Sequence, residues 1–316
     1  MVGANVVLGT GPLGLAVARH LAKQGEPVRA VSQSGRAEAP AGVELVVADV
    51  TDRDQAGPVF AGARVVYHCA SPPYHRWAKL HPPLMEAVIT GAATTGARLV
   101  FGDNLYAYGP VDGTVAEDLP HAATGPNGRA RAQIADAVLT AHRSGRVEAV
   151  IGRGSDFFGR HARMSTVGDR VFARAVAGKP AQVLGNPDVP HSVTYLEDFA
   201  RALVDLGQRD DAAGEIWHVP CARPVTTRRF VDMVFQELGR PARVSVAPEW
   251  GIAIAALFNP TLRAVREQLY QHRRPWVVDS SKFERAFGWQ ATPLPEAIRA
   301  TVTWFTRQSG RASSQT

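Results

Sequence analysis

The sequence predicts an α/β fold, a doubly wound parallel sheet followed by a smaller C-terminal lobe. Three observations predict it. Strand-length apolar runs alternate with helical stretches as far as about residue 153, and that alternation specifies parallel strands covered by helices on both faces. A glycine-rich turn, Gly9-Thr10-Gly11-Pro12-Leu13-Gly14, lies where the first strand should hand over to the first helix. Past residue 153 the alternation loosens, and 316 residues with 45% hydrophobic content suffice for one large core, or one core plus a lobe.

Val6-Val7-Leu8 reads as the end of a buried strand, and Leu15-Ala16-Val17-Ala18-Arg19-His20-Leu21-Ala22 has helical apolar spacing. Between them Gly9 permits a tight turn, Gly11 lets the backbone approach a pyrophosphate, and Gly14 lets the helix pack closely on the sheet. With Thr10, Pro12 and Leu13 they form a cradle in which the helix's free N–H groups point at bound phosphates. Further strands are read at 28–31, 44–47, 65–68, 98–102 and 148–152, with helices at 55–60, 82–95 and 130–142. The result is a Rossmann-type dinucleotide-binding domain over residues 1–153. Helices at 166–177, 196–207, 226–238, 252–272, 280–287 and 293–307, and short strands at 181–184, 216–219 and 243–246, fill a substrate lobe over 154–308. Some of its elements are expected to return to the sheet. The small, polar stretch 309–316 is expected to be disordered.

Composition narrows the function classes. The net charge is +6, but the basic residues are scattered and nearly all arginine, with only Lys23, Lys79, Lys179 and Lys282 as lysines. No basic run is interleaved with aromatics, so no nucleic-acid partner is expected. Cys69 and Cys221 are too few for a disulfide framework or a metal site, no His/Asp/Glu group has metal-ligand spacing, and no metal is expected. Because Met1-Val2-Gly3 leads straight into the predicted first strand, no targeting signal is expected. The apolar segment 250–258 is too short for a bilayer, which needs about 20 residues. A cytoplasmic protein with reduced thiols and no membrane partner is expected.

The cofactor's identity turns on the end of the second strand. An Asp or Glu about 20 residues past the glycine turn accepts hydrogen bonds from the ribose hydroxyls of NAD. Ser32 and Gln33 fall there, and Ser32, Ser34 and Arg36 offer hydroxyls and a guanidinium that suit a 2′-phosphate. NADP is therefore expected, with NAD as the alternative; the bland reading of Ser34-Gly35-Arg36 is a solvated turn.

Taken together, ordered pieces along nearly the whole chain resemble the extended short-chain dehydrogenase/reductase superfamily, in its NAD-dependent epimerase/dehydratase branch. Besides the glycine turn, these are Ala48-Asp49-Val50, His68-Cys69-Ala70-Ser71, Ala107-Tyr108-Gly109, Arg153-Gly154-Ser155-Asp156-Phe157-Phe158-Gly159, His191-Ser192-Val193-Thr194-Tyr195-Leu196-Glu197-Asp198-Phe199-Ala200 and Phe287-Gly288-Trp289-Gln290-Ala291-Thr292-Pro293-Leu294. The resemblance implies that Asp49 and Val50 meet the adenine and that Ala70 and Ser71 pass under the cofactor's ribose. It also implies a homodimer through the helices at 82–95 and 130–142.

The catalytic positions depart from that family. Its engine is a Ser/Thr with a Tyr-x-x-x-Lys pair; here Asn104 takes the serine position, Asn127 the tyrosine position and Arg131 the lysine position. Asparagine shuttles no proton near neutral pH, whereas Arg131 stays charged and can hold the ribose. Sugar dehydratases of the superfamily carry an Asp-Glu pair where this chain has Leu105-Tyr106, so sugar dehydration is not expected. Tyr106 is then the candidate proton donor and Asn104 a donor to a substrate carbonyl. Each competes with a bland reading: Tyr106 as packing, Tyr108 as structural, His75 as a surface residue near Tyr74, Asp103 as a loop hydrogen-bonding group, His191 as a satisfied structural histidine, and Asp198 as a helix-start carboxylate. Phe157, Phe158, Trp217, Trp250 and Phe258 fit an apolar substrate or simply a core, and the apolar face of 252–272 is expected to pack on the lobe. Arg263, Arg266, Arg273 and Arg274 can grip a diphosphate, though their arrangement is not diagnostic.

The function expected is an NADPH-dependent reductase acting on a carbonyl or conjugated double bond of a small organic molecule. The alternatives are a non-catalytic NADP-binding sensor or scaffold, and an epimerase or lyase holding NAD tightly.

Overall fold

The computed structural model describes residues 3–313, and the chain divides into two units. The first comprises Met1–Gly109, Glu117–Gly154 and Phe199–Val219; the second comprises Pro110–Ala116, Ser155–Asp198 and Pro220–Thr316. Both are discontinuous, so no single boundary near residue 153 separates them.

Seven strands build the first unit: β1 (Ala4–Leu8), β2 (Val28–Ser32), β3 (Val43–Val47), β4 (Ala63–His68), β5 (Arg98–Asn104), β6 (Ala149–Gly154) and β7 (Ile216–His218). All pairings are parallel, in the order β7-β6-β5-β4-β1-β2-β3. From β1 the chain runs outward through β2 and β3, then returns to place β4 on the other side of β1. The strand order reverses there, and such a reversal opens a crevice beyond the strands' C-terminal ends. The strands read as apolar runs because a parallel sheet is buried on both faces.

Four helices follow the strands: α1 (Pro12–Lys23), α2 (Arg53–Phe60), α3 (Trp77–Thr95) and α4 (Pro126–Arg143). Val6, Leu8, Val66, Leu99, Phe101 and Ile151 of the sheet pack with Phe60, Met85, Val88, Ile89, Ile134 and Val138 of α2, α3 and α4 in one buried core. Each such side chain contributes about 1.5–3 kcal/mol when fully buried. Helix α3 starts at Trp77, five residues before the expected start, and carries Pro82 and Pro83 inside it. The carbonyls these prolines leave without a helical donor belong to Ala78 and Lys79, which are exposed and reachable by water.

The second unit is built from four two-stranded ladders and helices. Val193–Tyr195 pairs in parallel with Asp156–Phe158, and Val244–Val246 with Ala181–Val183. Its core is aromatic: Phe158, Phe172, Phe230, Phe235, Trp304 and Phe305 are buried together. The helix expected at 252–272 is three pieces, Glu249–Phe258, Pro260–Glu267 and Leu269–His272. Pro260 has no N–H to continue the first piece and holds Asn259 extended, and the Asn259 side chain caps the next by accepting from Thr261 and Leu262 N–H. Its apolar face is also not packed as expected: Ile254, Leu257 and Phe258 are exposed, whereas Leu269 is deeply buried. The last helix, Leu294–Ser313, continues through 309–313, where a disordered stretch was expected; Ser309 Oγ donates to the Phe305 carbonyl within the helix. Residues 314–316 lie outside the described residues. No helix among the described residues is long and apolar enough to cross a membrane.

Candidate active site

The crevice end of β1 is shaped by three glycines with different reasons to be glycine. Gly9 has φ 95°, a left-handed conformation that side chains resist, and its N–H donates to the Val31 carbonyl at 2.9 Å. A Cβ on Gly9 would lie 2.6 Å from Ala70 Cα, so the β1 turn meets the end of β4 through bare backbone. A Cβ on Gly14 would stand 1.8 Å from the Gly9 carbonyl oxygen. Nothing lies within 4 Å of a Cβ on Gly11, which is exposed at the N-cap of α1. Pro12 follows as the first helical residue, no side chain caps the end, and no acidic residue occupies the first turn. The N–H groups of Leu13 and Gly14 have no acceptor within the helix, and Thr10 leads the backbone into it. Open ground before a helix N-terminus with unused donors is a cradle that fits a pyrophosphate.

Beyond β2 the chain makes a serine-held turn. Ser32 Oγ accepts from the Gly35 N–H at 3.3 Å and lies 3.4 Å from Ser34 Oγ, which accepts from the Arg36 N–H at 3.4 Å. Ser34 and Arg36 are exposed; Ser32 and Gln33 supply no acid at the end of the strand, although the Asp49 carboxyl reaches the Gln33 side chain. Asp49 is partly exposed and closes a local turn: Oδ1 accepts from Thr51 Oγ1 at 2.7 Å and Thr51 N at 2.9 Å, and the Thr51 hydroxyl bond holds the carboxyl below its ordinary range. Val50 is buried, Ala70 closes against the glycine turn, and Ser71 is exposed with its hydroxyl 3.4 Å from the Pro72 carbonyl.

At the end of β5, Asn104 Oδ1 accepts the Tyr106 N–H at 3.0 Å, which fixes the tight turn Tyr106–Tyr108 and leaves the Asn104 amide nitrogen as the donor end. The half-buried Tyr106 ring sits 5.9 Å from Trp77 and 6.5 Å from Tyr74. Gly128 of α4 lets this turn come close, since a Cβ there would lie 2.8 Å from the Tyr106 carbonyl oxygen. Tyr108 points elsewhere: it is buried and bonds His218 Nε2 at 2.9 Å, and burial raises its phenol. Asn127 is buried on the first turn of α4, its amide donating to the Tyr74 carbonyl at 3.4 Å. His75 is exposed.

Asp103 is not a loop residue. It lies within β5, 3% exposed, and receives Arg131 Nη1 at 3.2 Å on one oxygen and Arg153 Nε at 3.0 Å on the other. Arg131 stacks 4.1 Å from the Trp77 ring centre, and Arg153 lies 4.7 Å from that of Tyr108. Arg153 Nη2 also donates to His121 Nε2 at 3.0 Å; His121 Nδ1 therefore carries the proton it gives to Asp136 at 3.1 Å. Burial depresses Arg131; burial is also the largest single influence on Arg153, but Asp103 and Tyr108 together outweigh it and raise that group. His68, fully buried at the end of β4, is stacked on Phe101 and held at about 3 by burial and then by the Arg131 charge. The sequence reading missed Asp103 as a hub. The available signal was charge inside buried strands: Asp103 and Arg153 both sit in apolar runs, where each needs a partner.

The remaining candidates lie in the other unit or its core. His191 bonds Asp156 rather than standing alone. Asp198 lies in the first turn of Leu196–Gln208 and accepts from Thr292 N and Oγ1 at 2.8 and 2.7 Å. Phe158 is core, whereas Trp250 and Phe258 are 71% and 85% exposed.

Known proteins match this architecture. The sequence profile of the NAD dependent epimerase/dehydratase family matches residues 6–219. A dTDP-6-deoxy-L-talose 4-dehydrogenase (NAD(P)(+)) from Kitasatospora kifunensis is 26% identical over 266 residues, 77% of this chain and 81% of that protein. A 3beta-hydroxysteroid-dehydrogenase/decarboxylase isoform 2 from Arabidopsis thaliana is 24% identical over 86% of this chain, which spans 54% of that protein. Among solved structures, a UDP-glucuronic acid 4-epimerase from Bacillus cereus in complex with NAD superimposes with a TM-score of 0.78 at 16% identity, covering 97% of this chain and 98% of that one. A profile match over residues 6–219, which takes in the phosphate turn and runs from within β1 through β7, makes this protein a member of the NAD-dependent epimerase/dehydratase family.

Proposed function

We propose that this family member is an oxidoreductase that uses NADPH to reduce a carbonyl or conjugated double bond of a small organic molecule. The observation that carries the reading is the pair formed by Asn104 and Tyr106. Asn104 spends its carbonyl on the Tyr106 backbone, so its amide nitrogen is the end suited to polarise an acceptor oxygen, while the adjacent half-buried phenol is suited to protonate it. The dinucleotide supplies the hydride when bound. Gly9, Gly11 and Gly14 cradle its pyrophosphate. Ser32, Ser34 and Arg36 suit a 2′-phosphate, and neither Ser32 nor Gln33 at the strand end is an acid that would take the ribose hydroxyls instead. Arg131, paired with Asp103 and stacked on Trp77, supplies a fixed positive field instead of a mobile lysine. The dehydrogenase names of the two sequence relatives support hydride transfer as the chemistry class.

The test pairs cofactor titration with turnover on a panel of ketones and enones. NADPH should bind more tightly than NADH, Arg36→Ala should erase that preference, and Tyr106→Phe should lower the rate at least tenfold with unchanged NADPH affinity. Parental turnover in Tyr106→Phe removes the proton-donor role. Tight binding with no turnover of any acceptor favours the sensor reading, whose motivation is Asn127 in the tyrosine position. Protein purified with NAD already bound favours the epimerase reading.

A further inference from the structure

The second unit brings together Asp156, His191 and His272, from positions whose spacing carries no metal signature. Asp156 lies on the strand Asp156–Phe158, His191 ends the strand Pro190–His191, and His272 ends the helical turn Leu269–His272. Each is held by backbone pairing: Asp156 with Val193, His191 with Val225 and Trp276, and His272 through its carbonyl, which accepts from the Asn186 N–H at 2.7 Å. Asp156 Oδ2 lies 3.0 Å from His191 Nε2 and 3.5 Å from His272 Nε2, and the three ligand atoms fall within 4.8 Å of one another.

The hydrogen bonds around this triad set a constraint. His191 Nδ1 is 3.2 Å from the Gln271 carbonyl, which only accepts, so Nδ1 carries a proton. A neutral His191 then aims the Nε2 lone pair at a carboxylate oxygen, and two acceptors at 3.0 Å repel unless a positive centre lies between them. That centre is a second ring proton or a metal ion. His272 brings a second nitrogen to the same oxygen, and its ring stacks on His191 with centroids 4.8 Å apart, an arrangement that disfavours two imidazolium rings. The outer contacts are those of a metal site: a histidine N–H on a backbone carbonyl, and Thr166 Oγ1 on Asp156 Oδ1 at 3.3 Å.

We propose that Asp156, His191 and His272 bind one divalent transition-metal ion of the zinc class, a site independent of the dinucleotide cradle. Donors bonded at about 2.0–2.2 Å in a tetrahedron stand about 3.4 Å apart. The two carboxylate–imidazole distances of 3.0 and 3.5 Å already match, and the imidazoles close on the ion. Two nitrogens and one carboxylate leave a fourth position, as in zinc sites that take a water or substrate. His191 and His272 line a small, partly open cavity whose wall includes Val167, Val183, Leu184 and Phe230, an apolar surround that strengthens coordination.

The experiment strips the protein with chelator, dialyses it against Zn²⁺ or Co²⁺, and measures bound metal, thermal midpoint and the visible spectrum of the Co²⁺ form. One equivalent should be retained, with tetrahedral-type cobalt bands and a raised midpoint. Asp156→Asn, His191→Gln and His272→Gln should each weaken binding at least tenfold. Near-UV circular dichroism identifies the variants that keep the fold, and His272→Gln, which leaves the His191–Asp156 contact in place, carries the test if the other two do not. Substoichiometric metal, or equal binding by a folded variant, overturns the proposal. So does a nitrogen NMR spectrum in which His191 stays doubly protonated with metal present.

Discussion

Asp103 and Asp156 are both buried carboxylates with two nitrogen-bearing partners, yet they serve different ends. Asp103 is closed: Arg131 and Arg153 each give it a charged hydrogen bond, and neither guanidinium loses its proton under ordinary conditions. Asp156 faces imidazoles, which change charge and present lone pairs, beside a cavity. The Asp156 carboxylate takes its contacts from His191 Nε2 at 3.0 Å, His272 Nε2 at 3.5 Å and Thr166 Oγ1 at 3.3 Å. The difference teaches how to separate scaffold from site. Where partners have permanent charge, the contact fixes the scaffold, even though Arg131 Nε and Arg153 Nη1 are left without a hydrogen-bond partner; where partners are imidazoles that can ligate beside a cavity, the position can take an ion.

The largest expected effect lies on the closed side. Asp103→Asn strands two buried guanidinium groups and should destabilise the protein by about 3–5 kcal/mol, the cost of breaking a buried ion pair. It should appear as a lower urea midpoint at unchanged slope. Asp156→Asn should cost clearly less, because His191 and His272 can stay neutral. Equal losses in the two variants would erase the distinction.

A sharper form of the same comparison lies within the glycine turn. Gly14→Ala drives a Cβ to 1.8 Å from the Gly9 carbonyl oxygen, so the turn must move and both thermal midpoint and dinucleotide affinity should fall. Gly11→Ala meets nothing within 4 Å, so stability should hold while affinity drops at least tenfold. Normal binding by Gly11→Ala would mean that the open ground is not where the pyrophosphate lies.

The smallest effect is a pH slope. His68 has an ordinary value of 6.5 and is held at about 3 in the fold. The unfolded chain therefore binds the extra proton first as pH falls. The contribution of neutral His68 is intact above pH 6.5 and is lost progressively down to about 3, by up to a few kcal/mol. Urea unfolding at pH 7.5, 6 and 4.5 should show a shallower decline for His68→Leu than for the parent. Parallel declines would assign the acid sensitivity elsewhere.

Much of the fold was legible because its signals are local. All seven strands of the sheet fall on the short apolar runs read from the sequence, and the helix behind the glycine turn follows directly in the chain. Misreadings arose where a local signal competes with a distant one. Pro82 and Pro83 mimic a helix start, but α3 begins at Trp77, whose indole N–H donates to the Pro72 carbonyl at 2.9 Å. The apolar spacing across 252–272 ignores the break that Asn259-Pro260 imposes. In the candidate site the phosphate turn and the serine-held turn are contiguous stretches and could be read directly. The surroundings of Tyr106 could not, since Tyr74, Trp77 and Gly128 reach it from two helices and a loop.

By itself, then, the sequence determined the α/β class, the glycine cradle, the absence of an acidic residue after β2 and the departure from Tyr-x-x-x-Lys. These depend on backbone freedom, apolar periodicity and side-chain chemistry, all of which act over a few residues. The tertiary structure alone decided that Asp103 meets Arg131 and Arg153, 28 and 50 residues away, and that Asp156, His191 and His272 converge. A buried charge must find its counter-charge wherever the packed chain delivers one, and that requirement leaves no mark on spacing.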